Sequence, residues 1–114
     1  MKISEFTDMV EACPDKRFTV DAWEGRFKGS KTLCCVMAVF REHLGMSVED
    51  LWTLTVKQGG KLDQDEFAPL LGLTGEQIDS IVGTVDTIDI DKEVWAVFTR
   101  PRNTIISALR KRFG

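Results

Sequence analysis

The eight residues from Leu33 to Phe40 are apolar without a break. A helix built on that run has no polar face until Arg41-Glu42-His43, so the rest of the chain has to surround it as the central helix of a domain. The run is far too short to cross a bilayer, which takes about twenty residues. Ser30 reads as the cap that opens this helix and Gly45 as the residue that closes it.

The other segments have to offer the central helix apolar sides. Ser4 to Ala12 places Phe6, Met9 and Val10 at helical spacing and is ended by Pro14. Thr19 to Lys28 puts Val20, Trp23 and Phe27 on one helical face, although Phe18-Thr-Val could equally open a small strand with a turn at Glu24-Gly25; helix is the favoured reading. Ser47, with Asp50 three residues on, makes a start resembling a capping box for Val48 to Lys57, whose inward face holds Val48, Leu51, Trp52 and Thr55. Lys92 to Phe98 and about Asn103 to Phe113 supply two more helices, the last with Ile105, Ile106, Leu109 and Phe113 on one side. Trp23, Trp52 and Trp95 all fall on predicted inward faces. The expectation is an all-α, compact multi-helix protein, a single domain over residues 1–114.

Leu62 to Ile81 reads as two short helices joined by a tight turn. Gln64 heads the first, Phe67-Ala68 face inward and Leu70-Leu71 close it. Gly72 supplies the turn, Thr74 caps the second helix, and Ile78 and Ile81 fall three apart on its buried side. An acidic loop through Asp86, Asp89 and Asp91 is expected after Gly83. On these residues the stretch resembles the DNA-reading part of phage-repressor and antitoxin-type helix-turn-helix proteins. In that family a helix precedes the pair and later helices close the core, places that Val48 to Lys57 and Lys92 to Phe98 occupy. The resemblance therefore covers about residues 47–98, leaving 1–46 as an unassigned N-terminal extension and 99–114 as a basic C-terminal helix.

The resemblance implies duplex DNA as ligand and a homodimer. Gln64 matches the family's glutamine that contacts backbone or a base edge, while Glu76, Gln77 and Ser80 stand at reading-helix positions. Gln77 suits adenine, and Glu76 suits cytosine amino groups. Affinity would come from Lys57, Lys61, Arg100 and Arg102. The chain departs from the pattern at Asp79, where the family often has Ser or Arg, at Ser80, where it has a base, and at Pro69 inside the first helix of the pair.

Charge points to a second reading. Residues 1–48 carry seven bases and seven acids, residues 49–99 three bases and eleven acids, and residues 100–114 five bases and no acid. The acidic block coincides with the helix pair, the wrong sign for a phosphate backbone. The alternative is an acidic protein-interaction module on the same scaffold, which binds or inhibits a basic, nucleic-acid-binding partner. The basic tail is placed to stabilise its own helix dipole, or to pair with the acidic block of this chain or of a second copy.

Sharper motifs fail on their surroundings. Gly25 to Thr32 is one residue short of a phosphate-binding loop and lacks the apolar strand before it, so a Gly-ended turn with a Ser-capped helix is preferred. Gly60 to Phe67 mimics half of a calcium loop, but Thr55, Lys57 and Gly59 supply no carboxylate. Cys13, Cys34 and Cys35 read as reduced core residues, and Cys34 or Cys35 with His43 makes a poor nucleophile pair. No enzyme activity, cofactor or metal is expected. The first residues, with Glu5 and Asp8 close after Lys2, lack the look of a signal peptide, so a cytoplasmic protein is expected.

Overall fold

A computed structural model describes residues 1–55, 63–87 and 99–114. Its elements, in chain order, are α1 (Ile3–Ala12), β1 (Arg17–Thr19), β2 (Glu24–Phe27), β3 (Ser30–Leu33), α2 (Cys35–Leu44), α3 (Val48–Thr55), α4 (Gln64–Phe67), α5 (Gly75–Asp86), β4 (Thr99–Pro101) and α6 (Arg102–Phe113). A 3₁₀ turn over Ala68–Leu71 extends α4. The expectation of an all-α fold is corrected: the protein is mixed α/β, with two small antiparallel sheets, β1 with β4 and β2 with β3.

The segment expected as a helix from Thr19 to Lys28 is instead the end of β1 and most of a hairpin. Lys28 and Gly29 both have positive φ, 51° and 82°, the mark of a two-residue type I′ loop whose twist matches the strands it joins. Glu24 then faces Leu33 and Phe27 faces Ser30. Ser30 opens a strand, not a helix, and Gly25–Thr32 forms no phosphate loop. β1 pairs with β4 through Arg17 with Pro101, Phe18 with Arg100 and Thr19 with Thr99. The hydroxyls of Thr19 and Thr32, 2.7 Å apart, tie β1 to the hairpin.

Because the strand takes Ser30–Leu33, α2 begins only after Cys34, whose Sγ accepts the Met37 N–H at 3.4 Å. Every residue from Cys35 to Phe40 is buried, so α2 is the central helix that its composition requires. Arg41 leaves the core and grips both carboxylate oxygens of Asp15. Ser47 and Asp50 cap α3 reciprocally: Ser47 N–H donates to Asp50 Oδ2 at 2.8 Å and Asp50 N–H to Ser47 Oγ at 3.1 Å. Leu51 is buried as expected, but Trp52 is 51 % exposed.

The helix pair has the expected turn. Pro69 has no N–H to continue α4, which tightens into the 3₁₀ turn, and Gly72 follows with φ 71°. α5 runs five residues past Ile81, with Gly83 inside it where the start of a loop was expected. Phe67, Leu71, Ile78 and Ile81 share one core with Phe6, Phe18, Phe40 and Leu109. Trp95 and the helix expected over Lys92–Phe98 lie outside the described residues. α1 packs on α6, and Phe67 meets Trp23 and Phe40 edge-on, with ring centroids 5.7 and 5.4 Å apart.

Candidate functional site

Three of the side chains expected to contact DNA, Gln77, Arg100 and Arg102, have hydrogen-bond partners within the chain. Thr74 and Gln77 form a capping box: Gln77 N–H donates to Thr74 Oγ1 at 3.1 Å, and Thr74 N–H donates to Gln77 Oε1 at 2.9 Å. Gln77 Nε2 donates to the Met1 carbonyl at 3.2 Å, so both ends of the amide are engaged. Gln64 is half-buried, and its Oε1 is buried with no hydrogen-bond partner among the described residues. Arg100 is 6 % exposed, opposite Phe18 in the sheet, and donates from Nη1 to the Thr99 carbonyl at 2.7 Å. Arg102 Nη1 donates to the Cys13 carbonyl at 2.8 Å. Lys57 and Lys61 lie outside the described residues, as do Asp89 and Asp91. Glu76 and Ser80, with Asp79, are exposed.

What the pair presents to solvent is acidic. Glu76, Asp79, Gly83 and Asp86 follow at spacings of three, four and three, which on an α-helix confines them to roughly 80° of its circumference. Gly83 is a bare point in this stripe, with nothing within 4 Å of where a Cβ would stand.

At its C-terminal end the stripe meets a cavity of about 240 Å³ between α5, the loop before β2 and the start of α2. Trp23, Val36, Val82 and Val85 give it apolar walls, and Asp21 and Asp86 line it as well. Asp21 has φ 63°, a left-handed conformation that aspartate tolerates, and its N–H donates to Asp86 Oδ1 at 2.9 Å. Burial holds the Asp86 carboxyl above its ordinary range; the Asp21 N–H opposes this, and the Asp21 charge adds to it.

A second feature was not anticipated. Lys16, Arg17, Lys28 and Lys31 line a shallow basin of about 420 Å³ beside Phe27, together with Asp15, and Lys31 Nζ pairs with Glu24 at 3.1 Å. The Arg17 guanidinium lies 4.1 Å from the Phe27 ring centroid and donates from Nε to Thr99 Oγ1 at 3.1 Å. These cations are balanced by acids in the sequence of residues 1–48, and only the hairpin gathers them; the Lys28-Gly29 turn was the available signal. Among the described residues no ion pair joins the basic tail to the acidic block. Arg110 pairs with Asp8 and Glu11 of α1.

The three cysteines are buried and unpaired by disulfides. Among the described residues no group of three or more His, Cys, Asp or Glu side chains is placed to hold a metal ion, and no helix is long and apolar enough to cross a membrane. Asp63, within the Gly60 to Phe67 stretch that mimics half of a calcium loop, caps α4 by accepting the Asp65 N–H at 2.9 Å. Comparison of the chain with protein-family models, with curated proteins and with solved structures finds no match.

Proposed function

We propose that this protein is an interaction module that offers the acidic face of α5 to a basic partner, a nucleic-acid-binding protein whose cationic surface it covers. One observation carries this reading. The Gln77 amide is engaged at both ends, so the exposed side chains of the first two turns of α5 are Glu76, Asp79 and Ser80. Carboxylates on one helix face repel phosphates and attract cations, which raises the association rate with a basic surface and makes it fall with salt.

The test uses fluorescently labelled polylysine as the basic probe, at low and at physiological salt. Glu76→Gln with Asp79→Gln should weaken the complex, chiefly through slower association, and should shrink its salt dependence. Unchanged binding by the folded double variant would overturn the reading.

A second reading, binding to duplex DNA, has support in the hairpin basin and none in α5. In that case Lys28→Ala with Lys31→Ala should abolish retardation of random duplex at low salt. Each lysine that had neutralised a phosphate should, on removal, also flatten the salt slope by about one unit. Retardation that survives this change would remove the basin from consideration.

A further inference from the structure

We propose that the cavity beside the last turn of α5 seats one cationic side chain of the basic partner, a lysine or an arginine, with its aliphatic stem against Trp23, Val82 and Val85 and its charged head between Asp21 and Asp86. The owner of that cation rests on the acidic-face reading above; the seat itself stands on the geometry.

Size comes first. About 240 Å³ is the volume of roughly eight liquid-water molecules, and it falls below the several hundred Å³ of typical cofactor and drug-sized sites. One side chain fits this space better than a nucleotide or a flat cofactor. Chemistry selects which side chain. The walls are mainly apolar, so the occupant needs an apolar stem. Asp86 Oδ1 takes the Asp21 N–H, while Oδ2 accepts no hydrogen bond from the described residues. A neutral apolar occupant would strip water from Asp86 and return nothing. An anion would meet two carboxylates and the negative end of α5. A cation satisfies Oδ2 and relieves the repulsion between the two acids. Position agrees as well: Asp86 is the last member of the Glu76, Asp79, Gly83 stripe, so a partner laid along α5 has one residue at the cavity's edge.

The experiment titrates the whole protein with hexylammonium chloride and, separately, with 1-hexanol, following by NMR the Trp23 indole N–H and the backbone amides of Val82 and Val85. The seat predicts saturable shifts at all three, with hexylammonium bound about tenfold more tightly than hexanol. Asp86→Asn should remove about that tenfold and leave hexanol unchanged, and Asp21→Asn should have a smaller effect in the same direction. Equal affinities for the two probes, no saturable shift, or no effect of either substitution would overturn the proposal. Should Asp86→Asn fail to fold, the ratio of the two probes on the natural chain and the Asp21→Asn variant still decide. If hexylammonium seats while polylysine binding ignores the Glu76 and Asp79 changes, the seat stands and the partner reading falls. If polylysine binding needs those carboxylates and hexylammonium does not seat, the anchor falls and the partner reading stands.

Discussion

At Cys34 two influences on a thiol compete and burial wins. Its Sγ stands at the head of α2, a place normally held by Ser, Thr, Asp or Asn, and backbone N–H groups there favour the thiolate. Removal from water outweighs them and pushes the Cys34 thiol up to about 12; Cys13 rises to about 11 and Cys35 stands well above its ordinary value, burial again leading in both. None of the three is an activated nucleophile. The same shifts set a pH dependence. A thiol protonated in the folded chain but free to ionise near 9.0 when unfolded contributes stability that is full below that pH, and the contribution is lost as pH rises toward about 12. The urea midpoint should therefore fall above about pH 9, and Cys34→Ala should flatten the fall. Ellman's reagent should react slowly with the folded protein at pH 8 and promptly in urea. Prompt stoichiometric reaction without urea would show that the thiols are accessible.

Two glycines in different elements should respond to alanine in opposite directions. Gly29 sits in the hairpin loop at φ 82° with open space where a Cβ would stand, so Gly29→Ala costs only backbone strain, about 1–2 kcal/mol. Gly83 lies inside α5 with the same open space and no positive φ, so Gly83→Ala should stabilise by about 0.5–1 kcal/mol through helix propensity. Urea unfolding of both variants checks the pair, and shifts of the same sign would contradict the assignment of one element. The hairpin also marks where reading the chain stops short. Trp23 and Phe27, four residues apart, imitate a helical face, and Lys-Gly is a weaker turn signal than Asn-Gly. Caps and periodic faces are local, so α1, the start of α3, the turn at Gly72 and α6 were legible to within a residue or two. Gln77 could be placed but not interpreted, because the spacing Thr74-x-x-Gln77 fits both a reading residue and a capping box. The basin around Phe27 was illegible because it exists only once β2 folds back on β3.

On the scale of the molecule, the ends of the chain are joined by β1 with β4 and by α1 with α6. Arg110 adds ion pairs to Asp8 and Glu11, but these are exposed, and such pairs contribute about 0–1 kcal/mol. What holds the two helices together is apolar: Phe6 and Val10 of α1 and Ile105 and Leu109 of α6 are each fully buried. Removing residues 99–114 should strip β1 of its partner, uncover that apolar contact and abolish cooperative urea unfolding. A truncated chain with a sharp transition and dispersed NMR spectrum would show that the remainder folds alone. Such distant pairing was invisible to any local pattern, because Thr19 and Thr99 are three-residue-strand partners far apart in sequence. It also has a consequence during synthesis. A ribosome adds about 5–20 residues per second, N-terminus first. Phe18 and the inner face of α1 are made well before their partners in β4 and α6. The nascent chain thus carries part of its apolar core, the share that β4 and α6 cover, open to solvent until those elements follow.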